Sequence, residues 1–361
     1  MIHPIAQKET DITQEGNREL FPPKHDLLGF IDSTGRIIIK PQYNGAMDFS
    51  DGLAAVRVGD EKSGKWGCID KSGHEVIPPA YTHPPIFAQG LAPVPSGDKW
   101  GYIDKSGRFV IRPQFAEAHG FSEDRAPVRL SKNGRIGFID LRGRVAINPE
   151  FDDFRTGFSG GLAVVKAPRL FRASKWGVID KTGEFVASPM YDDALPYTEG
   201  LSRVQMDGRW GFIDTSGNQV IRPQYAKASP FNAGRSAVQL QNSSDPDHAS
   251  LQANTWTCID KKGKELFTFQ YDGPIEFSDG LCPVFIGDKF GYIDAQGKVA
   301  IPPSFHGTAS SFSEGKTTVQ MDGKVGFIDR SGHIVIRPTF DYAAPFHEGF
   351  AIIGMNQVYS E

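Results

Sequence analysis

The stretch Trp66-Gly67-Cys68-Ile69-Asp70-Lys71-Ser72-Gly73 decides the fold, because versions of it recur nine times along the 361 residues. The copies start 34 to 46 residues apart, at Leu28, Trp66, Trp100, Ile136, Trp176, Trp210, Trp256, Phe290 and Val325. Repeats of this length mark stacked supersecondary units that bury their apolar faces against one another. The sequence therefore predicts one array over residues 28–353, preceded by a polar, flexible segment at 1–27 and followed by a tail at 354–361.

Each copy begins as a strand that runs into a tight turn. Ile is the fourth residue and Asp the fifth in all nine copies, and the alternation of side chains along a strand places Gly and Ile on one face and Asp on the other. Asp104 and Gly107 fit the first and fourth positions of a type I turn. We therefore assign structural roles to Trp66, Gly67, Ile69, Asp70, Gly73, Trp100, Gly101, Ile103, Asp104, Gly107, Trp210, Gly211, Ile213, Asp214 and Gly217.

Two further strands follow in each copy. The second strand contains a Pro in eight copies and Phe269 in the seventh, and the third strand comes after a turn-rich connector. Each copy thus predicts a three-stranded antiparallel meander. The first strand has a Gly in eight copies and Thr257 in the seventh. Because Gly has no side chain, it predicts that a neighbouring backbone or ring approaches closely.

These residues resemble the WG-repeat family, also called KWG repeats. The resemblance covers Leu28 to Ile353, and the repeated Trp-Gly, Ile-Asp, Ile-x-Pro-x-Tyr and Phe-x-x-Gly elements carry it. Membership would imply a bacterial β-repeat protein that serves as an interaction module. It would imply no catalytic residue.

The fold class is all-β, with the copies forming either a propeller-like ring or an open spiral. We favour the ring because the last strand, Gly349 to Ile353, could pair with the first copy. Two features oppose this choice: residues 18–21 could serve as a local partner for the first strand, and nine three-stranded units exceed the usual range of about four to eight blades.

Composition excludes several classes of protein. The net charge of −4 and pI near 6.2 give no general attraction to nucleic acid or anionic membranes. The N-terminus lacks the pattern of a secretory signal, and no apolar run is long enough to span a bilayer. The three cysteines stand at positions that are often apolar in other copies, so we expect buried thiols in a cytoplasmic protein.

Residues that serve a function should lie where one copy departs from the others. The loops that join the third strand of one copy to the first strand of the next vary most in length. Two neighbouring loops are basic, which predicts that they bind an acidic region of a protein partner. The alternative is that these charged side chains form a solvated rim without a partner. The candidate partner-binding residues are Arg129, Lys132, Arg135, Lys166, Arg169, Phe171, Arg172 and Lys175. A third loop, with the polar run 241–247, predicts a tolerated insertion.

The leading interpretation is a noncatalytic scaffold, without cofactor or metal, that presents this loop face to a protein. A second is a binder of carbohydrate or another small ligand, with Trp and Tyr between repeats stacking on the ligand. A third is an enzyme at the ring axis, where His119, Asp124 and Arg125 of the third copy would converge.

Overall fold

The computed structural model describes residues 26–168, 174–240, 255–270, 276–286, 289–307 and 309–356. These ranges contain strands and turns and no helix. In chain order the strands are β1 (Asp26–Asp32), β2 (Ile37–Tyr43), β3 (Gly45–Ala46), β4 (Leu53–Val58), β5 (Lys65–Asp70), β6 (Glu75–Tyr81), β7 (Leu91–Ser96), β8 (Lys99–Asp104), β9 (Phe109–Phe115), β10 (Glu117–Ala118), β11 (Ala126–Arg129), β12 (Ile136–Ile139), β13 (Val145–Phe151), β14 (Asp153–Phe154), β15 (Leu162–Lys166), β16 (Trp176–Asp180), β17 (Phe185–Tyr191), β18 (Asp193–Thr198), β19 (Leu201–Met206), β20 (Arg209–Asp214), β21 (Gln219–Ala228), β22 (Arg235–Leu240), β23 (Thr255–Asp260), β24 (Glu265–Gln270), β25 (Leu281–Ile286), β26 (Lys289–Asp294), β27 (Val299–His306), β28 (Lys316–Met321), β29 (Lys324–Asp329), β30 (Ile334–Phe340), β31 (Tyr342–Ala343) and β32 (Phe350–Asn356).

The sheets are offset from the sequence repeats. The third strand of one copy pairs with the first strand of the next, as β4 pairs with β5, and the connector adds a short fourth strand such as β3. We call this unit a blade and number it after the copy that supplies its first and second strands, so that β3 to β6 form blade 2. Blades 6 and 7 share β21, and blades 8 and 9 share β27, so the described strands form seven sheets.

The two ends of the array are joined to each other. Strand β32 of the last copy pairs antiparallel with β1 of the first, in register from Asp26↔Asn356 to Asp32↔Phe350. The succession of blades is therefore circular, as in the propeller-like ring that the sequence favours. Residues 18–21, the alternative partner for β1, lie outside the described residues.

The recurring Asp has the turn role that the sequence predicts. The Gly73 N–H donates to the Asp70 carbonyl (2.9 Å), and Asp70 Oδ1 accepts from the backbone N–H of Ser72 (2.9 Å) and of His74 (3.0 Å). Gly73 has a φ of 86°, the left-handed region that favours glycine. The Asp side chain thus closes its own turn.

The Gly of the first strand is required because the second strand bulges towards it. Trp66 opposes Tyr81 and Cys68 opposes Ile77, so the second strand advances four residues while the first advances two. A Cβ on Gly67 would lie 2.4 Å from the Ile77 carbonyl oxygen and 2.8 Å from the Pro79 nitrogen. No side chain fits at such distances, which confirms the predicted close approach of a backbone.

Blade 7 lacks this bulge. Its pairs run regularly from Thr255↔Gln270 to Cys258↔Phe267, with Thr257 opposite Thr268. The copy that replaces the Pro with Phe269 is also the copy that replaces the Gly with Thr257. Gly and Pro are therefore two halves of one feature: the Pro-containing bulge requires the Gly, and a regular ladder does not.

The hydrophobic core lies between blades. Buried residues form nine clusters, each shared by two neighbouring blades. One of them joins Phe327 of blade 9 to Ile353 of blade 1, which completes the circle. The three cysteines are buried and free, as expected, and burial raises the pKa of Cys68 to about 12 and that of Cys258 to about 11.

Candidate functional site

The two ends of the blades differ in construction. At one end, where Leu53 opposes Asp70, lie the Asp turns and the two-residue turns that precede third strands. At the other end, where Val58 opposes Lys65, lie the loops between third and first strands. We call these ends the turn face and the loop face. The described candidate partner-binding residues belong to the loop face: Arg129, Lys132, Arg135, Lys166 and Lys175.

The two-residue turns of the turn face contact one another around the ring. Both Asp51 (φ 56°) and Gly52 (φ 82°) have positive φ, the geometry of a type I′ hairpin turn. Asp51 Oδ2 accepts a hydrogen bond from the Gly90 N–H of the next blade (2.6 Å), and Glu348 accepts one from the Asp51 N–H (2.9 Å). We call this set of turns the turn circle; its first residues are Asp51, Gln89, Glu123, Gly160, Glu199, Ala233, Asp279, Glu314 and Glu348.

Several acidic residues of the turn circle also meet a basic side chain two copies further along. The pairs with carboxylate–ammonium distances of 3.1 to 3.2 Å are Asp51–Lys105, Glu123–Lys181, Glu199–Lys261 and Glu348–Lys71. The Arg330 guanidinium donates a hydrogen bond to the backbone carbonyl oxygen of Asp279. The last pair runs from copy 9 to copy 2, so the charge pattern continues through the ring closure.

Sequence reasoning missed this pattern, although its signal was readable. Where the turn residue is uncharged, the equivalent residue two copies later is uncharged too: Gln89 goes with Leu141, Gly160 with Thr215, and Ala233 with Ala295. Glu314, which goes with Ser33, is the exception. Comparing copies at a spacing of two would have linked these positions.

Two junctions of the turn circle lack the side-chain hydrogen bond. Gly160 and Ala233 carry no acceptor, so within the described ranges the amides of Glu199–Gly200 and Asp279–Gly280 donate to no side chain. The Cβ of a residue at position 160 would meet nothing within 4 Å. The turn circle is therefore interrupted between blades 5 and 6 and between blades 7 and 8.

On the loop face, the structure brings the two basic loops together at Asp152. Arg135 Nε lies 3.7 Å from Asp152 Oδ1, and Ser174 Oγ donates to Asp152 Oδ2 (2.8 Å). Arg129 donates through Nη2 to the Asp152 carbonyl (3.0 Å). Blades 4 and 5 thus form one continuous surface; Arg169, Phe171 and Arg172 lie outside the described residues.

Most of the described basic groups on this surface have acidic partners. Arg129 Nε donates to Glu117 Oε2 (2.7 Å), and Lys175 pairs with Asp192. The hydrogen bond from His119 lowers the pKa of Glu117, and that from Lys175 lowers the pKa of Asp192, so both carboxyls stay ionised at neutral pH. Lys132 is exposed and, among the described residues, contacts no acidic group.

Three of the five tryptophans proposed for ligand stacking are buried. Trp66, Trp176 and Trp256 are 2 to 4% exposed. The Arg155 guanidinium carbon lies 4.2 Å from the Trp176 ring centroid, and the Lys166 ammonium lies 5.5 Å from it. Cations of the chain itself thus occupy the face of Trp176 that a ligand would need. Trp100 and Trp210 are half-buried.

The three residues considered for an enzymatic site contact different partners. His119 Nε2 lies 2.8 Å from Glu117 Oε1 near the loop face, whereas Asp124 bonds to Gln89 in the turn circle. Arg125 donates to the Asp124 carbonyl (3.0 Å). The described part of the chain contains no group of three or more His, Cys, Asp or Glu side chains arranged to hold a metal. It also contains no helix suited to crossing a membrane.

A family model described as WG containing repeat matches the chain at nine segments: 29–61, 66–100, 100–134, 136–167, 176–210, 210–243, 256–290, 290–324 and 326–359. Among solved structures, BamB from Moraxella catarrhalis is similar with a TM-score of 0.39 and 11% identity, over 91% of this chain and 99% of that one. A eukaryotic initiation factor has a TM-score of 0.49 and 11% identity, over 79% and 89%. Hsv2 from Kluyveromyces lactis has a TM-score of 0.37 and 9% identity, over 67% and 87%. No curated protein matches the sequence.

Proposed function

We propose that this chain, which belongs to the WG containing repeat family, is a noncatalytic cytoplasmic scaffold that binds a protein partner through its loop face. The observation that carries the proposal is the difference between the two faces. Turn-face residues are largely engaged with one another across blade junctions, whereas the fully described loops of the loop face vary from two residues (97–98) to six (59–64 and 130–135). Variable loops on a uniform frame are the usual binding elements of repeat proteins.

Blades 4 and 5 are the best candidate for the contact region. Their described charges are largely paired, and two cations remain without an acidic partner among the described residues: Lys132 and Lys166. A surface with a small excess of positive charge favours an acidic segment of a partner. Arg169 and Arg172 would add to this excess.

The test is capture of partners by the immobilised full chain, with captured proteins identified and quantified by mass spectrometry. The double variant Lys132→Glu, Lys166→Glu reverses the two unpaired cations. Lys62→Glu is the matched control, because Lys62 is an exposed cation in the equivalent loop of blade 2. We expect at least one protein to lose about tenfold in capture with the double variant, corresponding to about 1.4 kcal/mol, and to be retained by the control.

The salt dependence gives a second readout. Capture through these cations should weaken as ionic strength rises, because exposed charges are screened. Equal capture by all three proteins would exclude blades 4 and 5 as the contact region. Binding of a glycan instead of a protein would contradict the scaffold proposal itself.

A further inference from the structure

The two-residue turns of the turn circle bind carboxylates through their backbone amides. Glu123 accepts hydrogen bonds from the N–H groups of Gly160 (2.6 Å) and Gly161 (2.9 Å), one at each carboxylate oxygen. Glu348 accepts from both amides of the turn that follows it in the same way (2.9 and 3.3 Å). Because adjacent N–H groups in a turn form a concavity that favours anions, each such turn is a carboxylate-binding element.

The turn at Asp279 and Gly280 has the same conformation but receives no carboxylate from this chain. Its φ values of 51° and 77° match the 61° and 78° of Gly160 and Gly161. The residue that would supply the carboxylate is Ala233, whose exposed methyl group accepts no hydrogen bond. Within the described ranges, neither amide has another acceptor. The backbone is therefore shaped for a carboxylate that the chain itself does not supply.

A guanidinium group lies beside this turn. Five copies begin the third strand with Leu, whereas copy 6 has Arg235 at this position. Arg235 Nε donates to the Ala295 carbonyl of blade 8 (3.2 Å), and Nη1 donates to the Gly234 carbonyl of blade 7 (3.2 Å). Arg235 thus brings a positive charge to a junction where the Lys of the ion-pair pattern is replaced by Ala.

The Arg235 guanidinium has no direct acidic partner in the described part of the chain. Asp260, which opposes Arg235 in the sheet, accepts hydrogen bonds from two amides of its own turn instead (both 2.9 Å). Asp279 directs its carboxylate to the Gly315 amide of the next blade (2.9 Å). The guanidinium is therefore available to a further anion.

We propose that the amides of Asp279 and Gly280 and the Arg235 guanidinium form a binding site for a carboxylate of a peptide or protein ligand. Carboxylate is favoured over other anions because the equivalent turns bind carboxylates within the chain. Backbone N–H groups and a guanidinium both give charge-assisted hydrogen bonds to such a group. The site lies on the turn face, so it goes beyond the proposed role of the loop face and does not depend on it.

The junction between blades 5 and 6 provides an internal comparison. Its turn, at Glu199 and Gly200, also follows a residue without a side-chain acceptor, Gly160. Copy 4, however, has Leu162 where copy 6 has Arg235. We therefore expect a carboxylate to bind more weakly at Gly200 than at Gly280, because the guanidinium is missing there.

The experiment is an NMR titration of the full chain at constant ionic strength, in which the shifts of glycine amides report binding. One probe is the α-amide of N-acetylglutamic acid, which has a side-chain carboxylate, and its neutral control is the α-amide of N-acetylglutamine. A second probe, N-acetylglycine, has a terminal carboxylate. We expect the Gly280 amide to shift with saturation, at a dissociation constant on the order of 10 mM. The Gly90 amide, which donates to Asp51, should not shift.

The tighter-binding carboxylate probe identifies the ligand group as an acidic side chain or as a chain terminus. The absence of a saturable shift at Gly280 with both carboxylate probes, or an equal shift with the glutamine control, would overturn the proposal.

Two variants test the residues of the site. Arg235→Leu introduces the residue of five other copies and should raise the dissociation constant about tenfold, because it removes the charged donor. Arg125→Leu, the matched control at the equivalent position of copy 3, should leave the constant unchanged. Ala233→Glu gives the turn a carboxylate from the chain itself and should abolish binding at Gly280. Undiminished binding by the Arg235→Leu or the Ala233→Glu variant would place the carboxylate elsewhere and refute the site.

Discussion

Blades 2 and 7 share one strand order and differ in how their residues depend on one another. Blade 2 has Gly67 opposite the bulge at Pro79, and Asp51 in the turn circle. Blade 7 has lost the Gly, the Pro and the acidic turn residue, with Thr257, Phe269 and Ala233 in their places. The comparison teaches that the recurring residues depend on one another in sets. Where one member of a set is replaced, the structure no longer requires the other member.

The largest effect on stability is expected when blade 2 receives only one residue of the Thr257–Phe269 pair of blade 7, the Thr. Gly67→Thr would place a Cβ 2.4 Å from the Ile77 carbonyl oxygen, and the backbone there cannot yield without disrupting the bulge. We expect a loss of more than about 3 kcal/mol in the free energy of unfolding, measured by chemical denaturation. The conservative change Thr257→Val in blade 7 is the control and should cost less than about 1 kcal/mol.

A loss of only a few tenths of a kcal/mol for Gly67→Thr would show that the bulge can relax. In that case the shared absence of Gly and Pro in copy 7 would be coincidental, and the proposed linkage would have to be abandoned.

The next effect tests the linkage directly by supplying the second half of the pair. Pro79→Phe in the Gly67→Thr background should recover about 1 to 2 kcal/mol, because the second strand can then form a ladder like that of β24. The coupling free energy from the four-protein double-mutant cycle is the measurement. If the losses in the free energy of unfolding from the two substitutions were additive, Pro79 would not be responsible for the bulge opposite Gly67.

Much of the frame could be predicted from the sequence because it depends on local chemistry repeated nine times. The Asp70–Gly73 turn, the strand that carries Ile69 and the need for Gly67 each follow from neighbouring residues. The blade offset could not be predicted, because the repeat pattern is the same whether a third strand such as β4 pairs within its own copy or with the next one.

The candidate site was less predictable, because it depends on contacts between distant copies. The sequence gives Arg129, Arg135 and Lys175 as a basic surface, but their partners Glu117, Asp152 and Asp192 come from other segments of the chain. A count of charges along two loops therefore overstated the net positive charge of the folded surface.

A smaller effect should appear on acidification, and it should differ between junctions. Turn amides lower the pKa values of Asp51 and Glu123, mainly through the N–H groups of Gly90 and Gly161 respectively. A carboxyl whose pKa is lower in the folded state stabilises the fold above its unfolded-state pKa, and this contribution is lost as pH falls through the folded value. The junctions between blades 2 and 3 and between blades 4 and 5 should therefore weaken below the ordinary values of 3.8 for Asp and 4.5 for Glu.

Hydrogen exchange of the Gly90 and Gly161 amides, corrected for the intrinsic rate at each pH, measures this effect. The Leu281 amide in the junction between blades 7 and 8 serves as the internal control, because it donates to the Ser278 carbonyl (3.0 Å) and not to a turn-circle carboxylate. A similar pH-dependent loss of protection at Leu281 would mean that acid weakens the ring as a whole.

The smallest effect is expected from giving blade 7 the turn residues of blade 2. Ala233 already has a φ of 50°, so Ala233→Glu adds an acceptor for the next turn without changing the backbone requirement. With Ala295→Lys, two copies further along, it recreates the pattern of Asp51 and Lys105. We expect a gain of about 0.5 kcal/mol for Ala233→Glu and a favourable coupling of about 0.3 to 0.5 kcal/mol with Ala295→Lys, typical of exposed ion pairs.

Ala233→Gln separates the contribution of the hydrogen bond from that of the ion pair. Like Gln89, it supplies an uncharged acceptor, so it should stabilise the junction without coupling to Ala295→Lys. Equal coupling for the Glu and Gln variants would show that charge does not decide which residues occur two copies apart.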